Sequence, residues 1–265
     1  MKLVVKVKYL GTAYAGFQVQ PGKTTVQGEL CRAFSEYFGF ECNVTGCSRT
    51  DGGVHASGFV LTVEPKDSVI RETKWCPIPP GKLHRAVNLL LPDDISVVAA
   101  AFVPDEFHPR YDVVKKKYEY RIWDLPYRDP FLHGRVYEYG YPLTDGMIGI
   151  MNECAALFVG KHDFSGFMAV GSKITDTVRQ VYSASLERTG CGIVTFSIEA
   201  DGFLYNMVRI MAGTLIECAR GRKSSADIAY AIEKGDRKHA GFTAPPDGLY
   251  LTEVTYPDMI DWQSD

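Results

Sequence analysis

The chain lacks most of the devices by which a sequence announces its chemistry. No Gly-x-x-x-x-Gly-Lys-Ser/Thr segment occurs, so no loop of backbone N–H groups stands ready to cradle a nucleotide's phosphates. The seven cysteines, at 31, 42, 47, 76, 154, 191 and 218, include no Cys-x-x-Cys pair. An odd count without such a pair argues against a disulfide framework and against a zinc ribbon, and all seven read as reduced, mostly buried thiols. His84, His108, His133, His162 and His239 stand singly, with no metal-ligand spacing and no Ser-His-Asp order. No run of about 18 apolar residues is present to span a membrane. The start, MKLVVKVKYLG, is too short and too regularly interrupted by lysine for a signal peptide, so a cytoplasmic location is expected. A basic excess is missing too: 29 Lys and Arg stand against 32 Asp and Glu, a formal charge of −3. Proteins that neutralise many phosphates usually carry such an excess. If RNA is bound, the cations must be gathered on one face.

What is present is 265 residues with 46% apolar content, enough for one large core or two moderate ones. Leu3, Val5, Val7 and Tyr9 alternate with lysines and Val4, the period of a half-buried strand. Val26, Leu30, Ala33, Phe34, Tyr37 and Phe38 recur at helical spacing, with Thr24 or Thr25 as N-cap and Gly39 as the stop. A strand near 42–47, the loop SRTDGGVH and a strand at about 57–64 follow. Leu83, Ala86, Val87 and Leu90 mark a second helix, and Ile95 to Val103 a closing strand. The second half repeats this order. It runs through a strand at 115–123, a helix at 144–159 and strands at 178–187 and 192–200, joined by a turn containing Gly190. A long helix over 203–219 stops at Gly221, before a helix at 224–234 and a last strand at 250–256. The expected class is α+β: two tandem ferredoxin-like (β-α-β-β-α-β) halves with mainly antiparallel sheets forming a central cleft. The Pro/Asp-rich stretch 104–112 is the expected boundary between a half at 1–104, with an Asp-bearing loop, and a half at 105–265, with a Tyr-bearing strand and an Arg-bearing helix.

Three segments could carry chemistry. In Gly46 to His55, paired glycines leave Arg49, Asp51 and His55 on an unhindered loop, although a bare Asp-Gly is most often a hairpin turn. From Phe203 to Ile216 the one charge is Arg209. In apolar company it must either snorkel to the surface or meet a carboxylate, and Asp51 is a candidate that such a pair would keep ionised and aim. On the strand Lys115–Arg121, Tyr118 and Tyr120 share a face with Lys116. Aromatics beside cations can stack bases and meet phosphate, though paired strand tyrosines are commonly core. Arg110, Arg128, Lys161, Arg220, Arg222 and Lys223 add local positive charge.

Together SRTDGGVHASG, KKYEYRI, FLYNMVRIMAGTL, FHPRYD, GKHDFSGF, VRQV and AGFTAPPDGLYLTEVTYP resemble the TruA family of tRNA pseudouridine synthases over nearly the whole chain. The resemblance implies Asp51 as nucleophile, Arg209 as its ion-pair partner, and Tyr118 as the ring that stacks on the base and assists proton removal from C5. It implies substrate contacts from Arg49, His55, Leu249 and Arg110, with Leu249 packing the base's other face. It further implies a homodimer that isomerises uridine in the anticodon stem-loop of tRNA, about positions 38 to 40, without metal or organic cofactor. Whether Asp51 attacks C1′ or starts a glycal route stays open. Ser48, Phe59, Gly166 and Phe242 depart from the family's frequent residues, and none of them is a proposed catalytic group. Two rival readings are a catalytically silent RNA-binding protein and a small-molecule hydrolase using Asp51.

Overall fold

The structure, a computed structural model, describes residues 1–171, 174–190 and 192–263. The backbone divides into two compact units, Met1–Val114 joined by the segment from Leu251 onward, and Lys115–Tyr250. Both are mixed α+β with mostly antiparallel strands.

The first unit contains β1 (Lys2–Tyr9), α1 (Val26–Phe38), β2 (Cys42–Gly46), β3 (His55–Pro65), α2 (Ser68–Arg71), α3 (Leu83–Val87) and β4 (Ile95–Val103). The alternation in β1 is realised. Leu3, Val5, Val7 and Tyr9 are all buried, on a central strand that pairs antiparallel with β3 on one side and β4 on the other. β2 lies outside β3, giving the order β4-β1-β3-β2. Of the two cap candidates Thr25 is the one used, its side chain accepting from Gly28 N. Gly39 closes α1 in the left-handed region (φ 78°), where a glycine pays no Cβ penalty. The helix expected to reach Leu90 stops at Val87 and follows a single 3-10 turn, Pro80–Lys82. The reason lies in Asn88, whose Oδ1 accepts from Val97 N at 2.8 Å while its Nδ2 donates to Val97 O at 3.0 Å. That exchange pins the chain to β4.

The second unit holds β5 (Lys115–Trp123), β6 (Tyr137–Glu138), α4 (Asp145–Ala156), β7 (Gly160–Asp163), β8 (Val178–Gly190), β9 (Ile193–Ala200), α5 (Met207–Ala219) and α6 (Ser225–Lys234). Its strands run β5-β9-β8-β7 with antiparallel neighbours, and β6 pairs parallel to β5. α5 is buried nearly all round, with Ile210, Met211, Leu215 and Ile216 fully inside. Each such side chain contributes roughly 1.5–3 kcal/mol relative to exposure. The helix expected from 203 begins only at Met207, because Asn206 adopts φ 59° and ψ 10°, a left-handed conformation that no α-helix can contain.

The last strand, β10 (Leu249–Thr255), starts in the second unit and runs into the first. There it lies so close to β3 that a Cβ on Gly58 would stand 2.1 Å from Thr252 O. Farther on, Gln263 N donates to Ala100 O at 3.0 Å, tying the tail to β4. Among the described residues no helix is long and apolar enough to cross a membrane.

Candidate functional site

In the first unit the Asp51 loop is locked from beneath by the segment Leu10–Phe17. Phe17 N donates to Thr50 O at 3.0 Å, Gly53 N to Tyr14 O at 3.3 Å, and Gly11 N to His55 Nδ1 at 3.0 Å. The hydroxyls of Tyr9 and Thr50 share a hydrogen bond of 2.8 Å. Within the loop Val54 N donates to Asp51 O at 3.2 Å, and Gly53 sits at φ 81°. This is a turn that needs glycine at its third position. Thr50 is buried, Asp51 half-buried and Arg49 exposed. The backbone on both sides of the carboxylate is therefore fixed while its side chain is not enclosed. The point from which the carboxylate extends is thus set before any ligand arrives, and a fixed backbone is what a scaffold can give a reacting group.

In the second unit Arg209 is half-buried near the start of α5. Its Nε donates to Ala244 O and its Nη1 to Asn206 Oδ1, both at 2.7 Å. The left-handed Asn206 thus places its amide against the guanidinium one turn along. The acceptor Ala244 belongs to a strap, Gly241–Ala244, that crosses α5 at small residues. A Cβ on Gly213 would lie 2.0 Å from Phe242 O, and Gly241 N donates to Thr214 Oγ1 at 2.8 Å. Tyr118 lies on β5, 7% exposed, with its ring edge-on to Phe203 at 5.0 Å. Tyr120 has no exposed surface and donates to Pro245 O at 2.8 Å. Burial raises its pKa well above the ordinary phenol value, against the opposing field of Arg209. Tyr120 is core, and two cations on the opposite face of β5 meet acids. Lys115 donates to Glu199 at 2.7 Å and Arg121 to Glu119 at 3.0 Å. Of the two readings the strand left open, core packing holds for Tyr120.

The sequence matches the family model described as tRNA pseudouridine synthase over residues 6–112 and 154–257. The chain belongs to this family. A relative named tRNA pseudouridine synthase A from Thermoanaerobacter sp. (strain X514) is 41% identical over 254 residues, covering 96% of this chain and 99% of its own. Proteins of the same name from Ruminiclostridium cellulolyticum and Citrifermentans bemidjiense are 38% and 39% identical, covering 96% and 98% of this chain and 99% of each of theirs. A chain in the solved structure titled "Crystal Structure of a Cbf5-Nop10-Gar1 Complex" aligns at 12% identity and a TM-score of 0.35. That alignment covers 96% of this chain and 60% of the other, a likeness too weak to carry an argument.

Asp51, Arg209 and Leu249 lie in the segments shared with this pseudouridine synthase family, and Tyr118 lies between them. The other expected contact residues are placed very differently from one another. His55 is fully buried and holds Gly11 through Nδ1. Leu249 is 6% exposed, just after a turn in which a Cβ on Gly248 would meet Arg121 O at 2.6 Å. Arg110 is exposed, its guanidinium 5.9 Å from the Tyr111 ring centroid. Three of the departures from the family's frequent residues turn out to be matters of packing. Phe59 is buried and stacked on Phe17 at 4.4 Å. A Cβ on Gly166 would stand 2.3 Å from Ala231 O, so a larger residue would push α6 away. The Phe242 ring packs edge-on to Tyr137. Ser48 is half-buried at the loop's entry.

Of the cysteines, 31, 42, 47, 76, 154 and 218 are free thiols, all buried except the half-buried Cys31, and Cys191 lies outside the described residues. Burial pushes the Cys42 thiol up to about 11, so it stays protonated and unreactive at neutral pH.

Sequence reading missed the Leu10–Phe17 cradle. Its signal was available in the glycines: a Cβ on Gly11 would stand 2.0 Å from Val54 O, and Gly16, at φ 104°, would stand 2.8 Å from Thr50 O. Gly11→Ala should lower stability by about 1–3 kcal/mol, read from the midpoint of urea unfolding. It should also slow turnover, because the residue it displaces is three positions from Asp51.

Proposed function

We propose that the chain isomerises uridine to pseudouridine in the anticodon stem-loop of tRNA, about positions 38 to 40, with Asp51 as the reacting carboxylate. The observation that carries this reading is a half-buried Asp51 on a loop whose flanking backbone is locked by Phe17, Tyr14 and Gly11. The reaction breaks the bond from C1′ to N1 of uracil, turns the base, and forms a bond from C1′ to C5. C5 loses its proton and N1 gains one. A base enclosed in a helical stack cannot rotate, so the nucleotide must first leave the stack. Bond count and redox state are conserved, so the reaction asks for no cofactor.

In this reading Asp51 acts at the ribose and must be ionised to do so. Arg209 serves as its counter-charge, a role suited to a guanidinium whose other donors are already fixed by Ala244 and Asn206. Tyr118 stacks on the released base and assists the loss of the C5 proton, and Leu249 packs the other face. Arg49, exposed beside Asp51, meets phosphate or fills the space the base vacates. His55 contributes by holding the loop. Each unit is read as a ferredoxin-like half, supported in the first by the antiparallel order β4-β1-β3-β2. The working form is a cytoplasmic homodimer, which doubles the area of any basic patch.

The deciding experiment supplies tRNA tritiated at uridine C5. Release of tritium from tRNA, and none when the uridines of the anticodon arm are replaced by cytidine, is the expected result. Binding without release would instead make the chain a silent RNA-binding protein. Release from free nucleosides, with no salt-sensitive RNA affinity, would make it a small-molecule enzyme.

A further inference from the structure

The segment His108–Asp112 is a closed knuckle. His108 N donates to Asp112 Oδ2 at 2.8 Å, and Asp112 N returns to His108 O at 3.1 Å. His108 Nδ1 accepts from both Arg110 N (3.1 Å) and Tyr111 N (3.3 Å). Its root is anchored by Tyr256, whose hydroxyl donates to Pro109 O at 2.7 Å and whose ring packs on Phe107 at 5.0 Å. Tyr256 directly follows β10, so the knuckle is tied to the end of that strand within the first unit. This rigid support presents one large ring outward. Tyr111 is 75% exposed, backed by the His108 ring at 4.2 Å.

A bulky ring held three-quarters in water, with only the His108 ring behind it, leaves most of its surface unpacked. Its ordering entropy has been spent in advance, and that favours a stacking ligand. The Arg110 guanidinium, 5.9 Å from the ring centroid, is too far to lie flat on it. It is near enough to meet the phosphate of a nucleotide that does.

We propose that Tyr111 is a stacking platform for an unpaired nucleobase of the RNA substrate, with His108 as its brace and Arg110 as the phosphate contact. The inference rests on the reading of tRNA as substrate and adds a binding subsite separate from the reacting base. Base stacking on an aromatic tolerates any flat ring and needs no hydroxyl.

The test compares Tyr111→Ala, Tyr111→Phe and Tyr111→Trp by steady-state tritium release and by binding of unmodified tRNA. Tyr111→Ala should raise KM for tRNA roughly tenfold with kcat and melting temperature at parental values. Phe and Trp should restore KM. Tyr111→Trp should show fluorescence quenching by tRNA beyond that of the parent. A parental KM in Tyr111→Ala overturns the platform, as does a Phe variant as weak as Ala, or no added quenching in Trp. The quenching needs binding alone, so a parent that binds but releases no tritium would sink the isomerase reading and leave this one standing.

Discussion

Asp51→Asn is expected to lose turnover by at least about 10³-fold, the scale of removing an essential nucleophile, while tRNA affinity stays near that of the parent. The substitution keeps the shape of the side chain. The loop's supports are backbone donors and acceptors at Phe17, Thr50, Tyr14, Gly53 and Gly11, together with the Tyr9–Thr50 hydroxyl pair. These supports act through the backbone and through Tyr9, Thr50 and His55, which the substitution leaves in place, so the loop should keep its conformation. Tritium release at saturating tRNA, with Kd from filter binding at fixed salt, separates the two effects. Retained turnover would remove Asp51 from the chemistry. Equal loss of binding and turnover would make the residue a contact rather than a reactant.

Arg209→Ala should damage fold and reaction together. The guanidinium's bonds to Ala244 O and Asn206 Oδ1 are both 2.7 Å. Bonds from a charged donor are worth about 1.5–3 kcal/mol each. Deleting the donor also leaves the strap carbonyl and the Asn206 amide without that partner, in a region where burial is high. An overall loss of about 3 kcal/mol is expected, a fall in melting temperature of roughly 6–12 °C. Turnover should fall further than that instability explains, since Asp51 would lose its proposed counter-charge. Arg209→Lys should recover little of either, because one ammonium cannot reproduce a planar fork that meets two acceptors at fixed angles. An Ala variant with parental melting and parental turnover would exclude Arg209 from both roles.

The period-two run at Leu3–Tyr9, the Thr25 cap and the Gly39 stop could be read in advance because each is a local matter. Side-chain alternation and cap chemistry act within a few residues. β6, β7 and α2, each of two to four residues, are too short to show any period. The over-long helix from Phe203 failed for a different reason. FLYN carries a helical apolar pattern, but Asn206 turns left-handed, and its amide then reaches Arg209. Propensity alone could not anticipate a turn stabilised by a side chain three residues on. Tyr118 and Tyr120 looked alike on alternation. One meets Phe203 and the other is sealed in the core by Pro245, a difference made by segments far away in sequence.

By itself the sequence determined the α+β class, the location of the acidic loop, and the isolation of Arg209 on an apolar helix, because periodicity and charge are carried by near neighbours. Only the tertiary structure decided that Gly11 and Gly16 brace that loop and that Ala244 and Asn206 aim the guanidinium. It alone returned the chain beyond Leu251 to the first unit. Apart from the Asn206 contact, which depends on a left-handed turn three residues from Arg209, those outcomes join residues tens of positions apart, and such contacts leave at most a lone glycine as their mark.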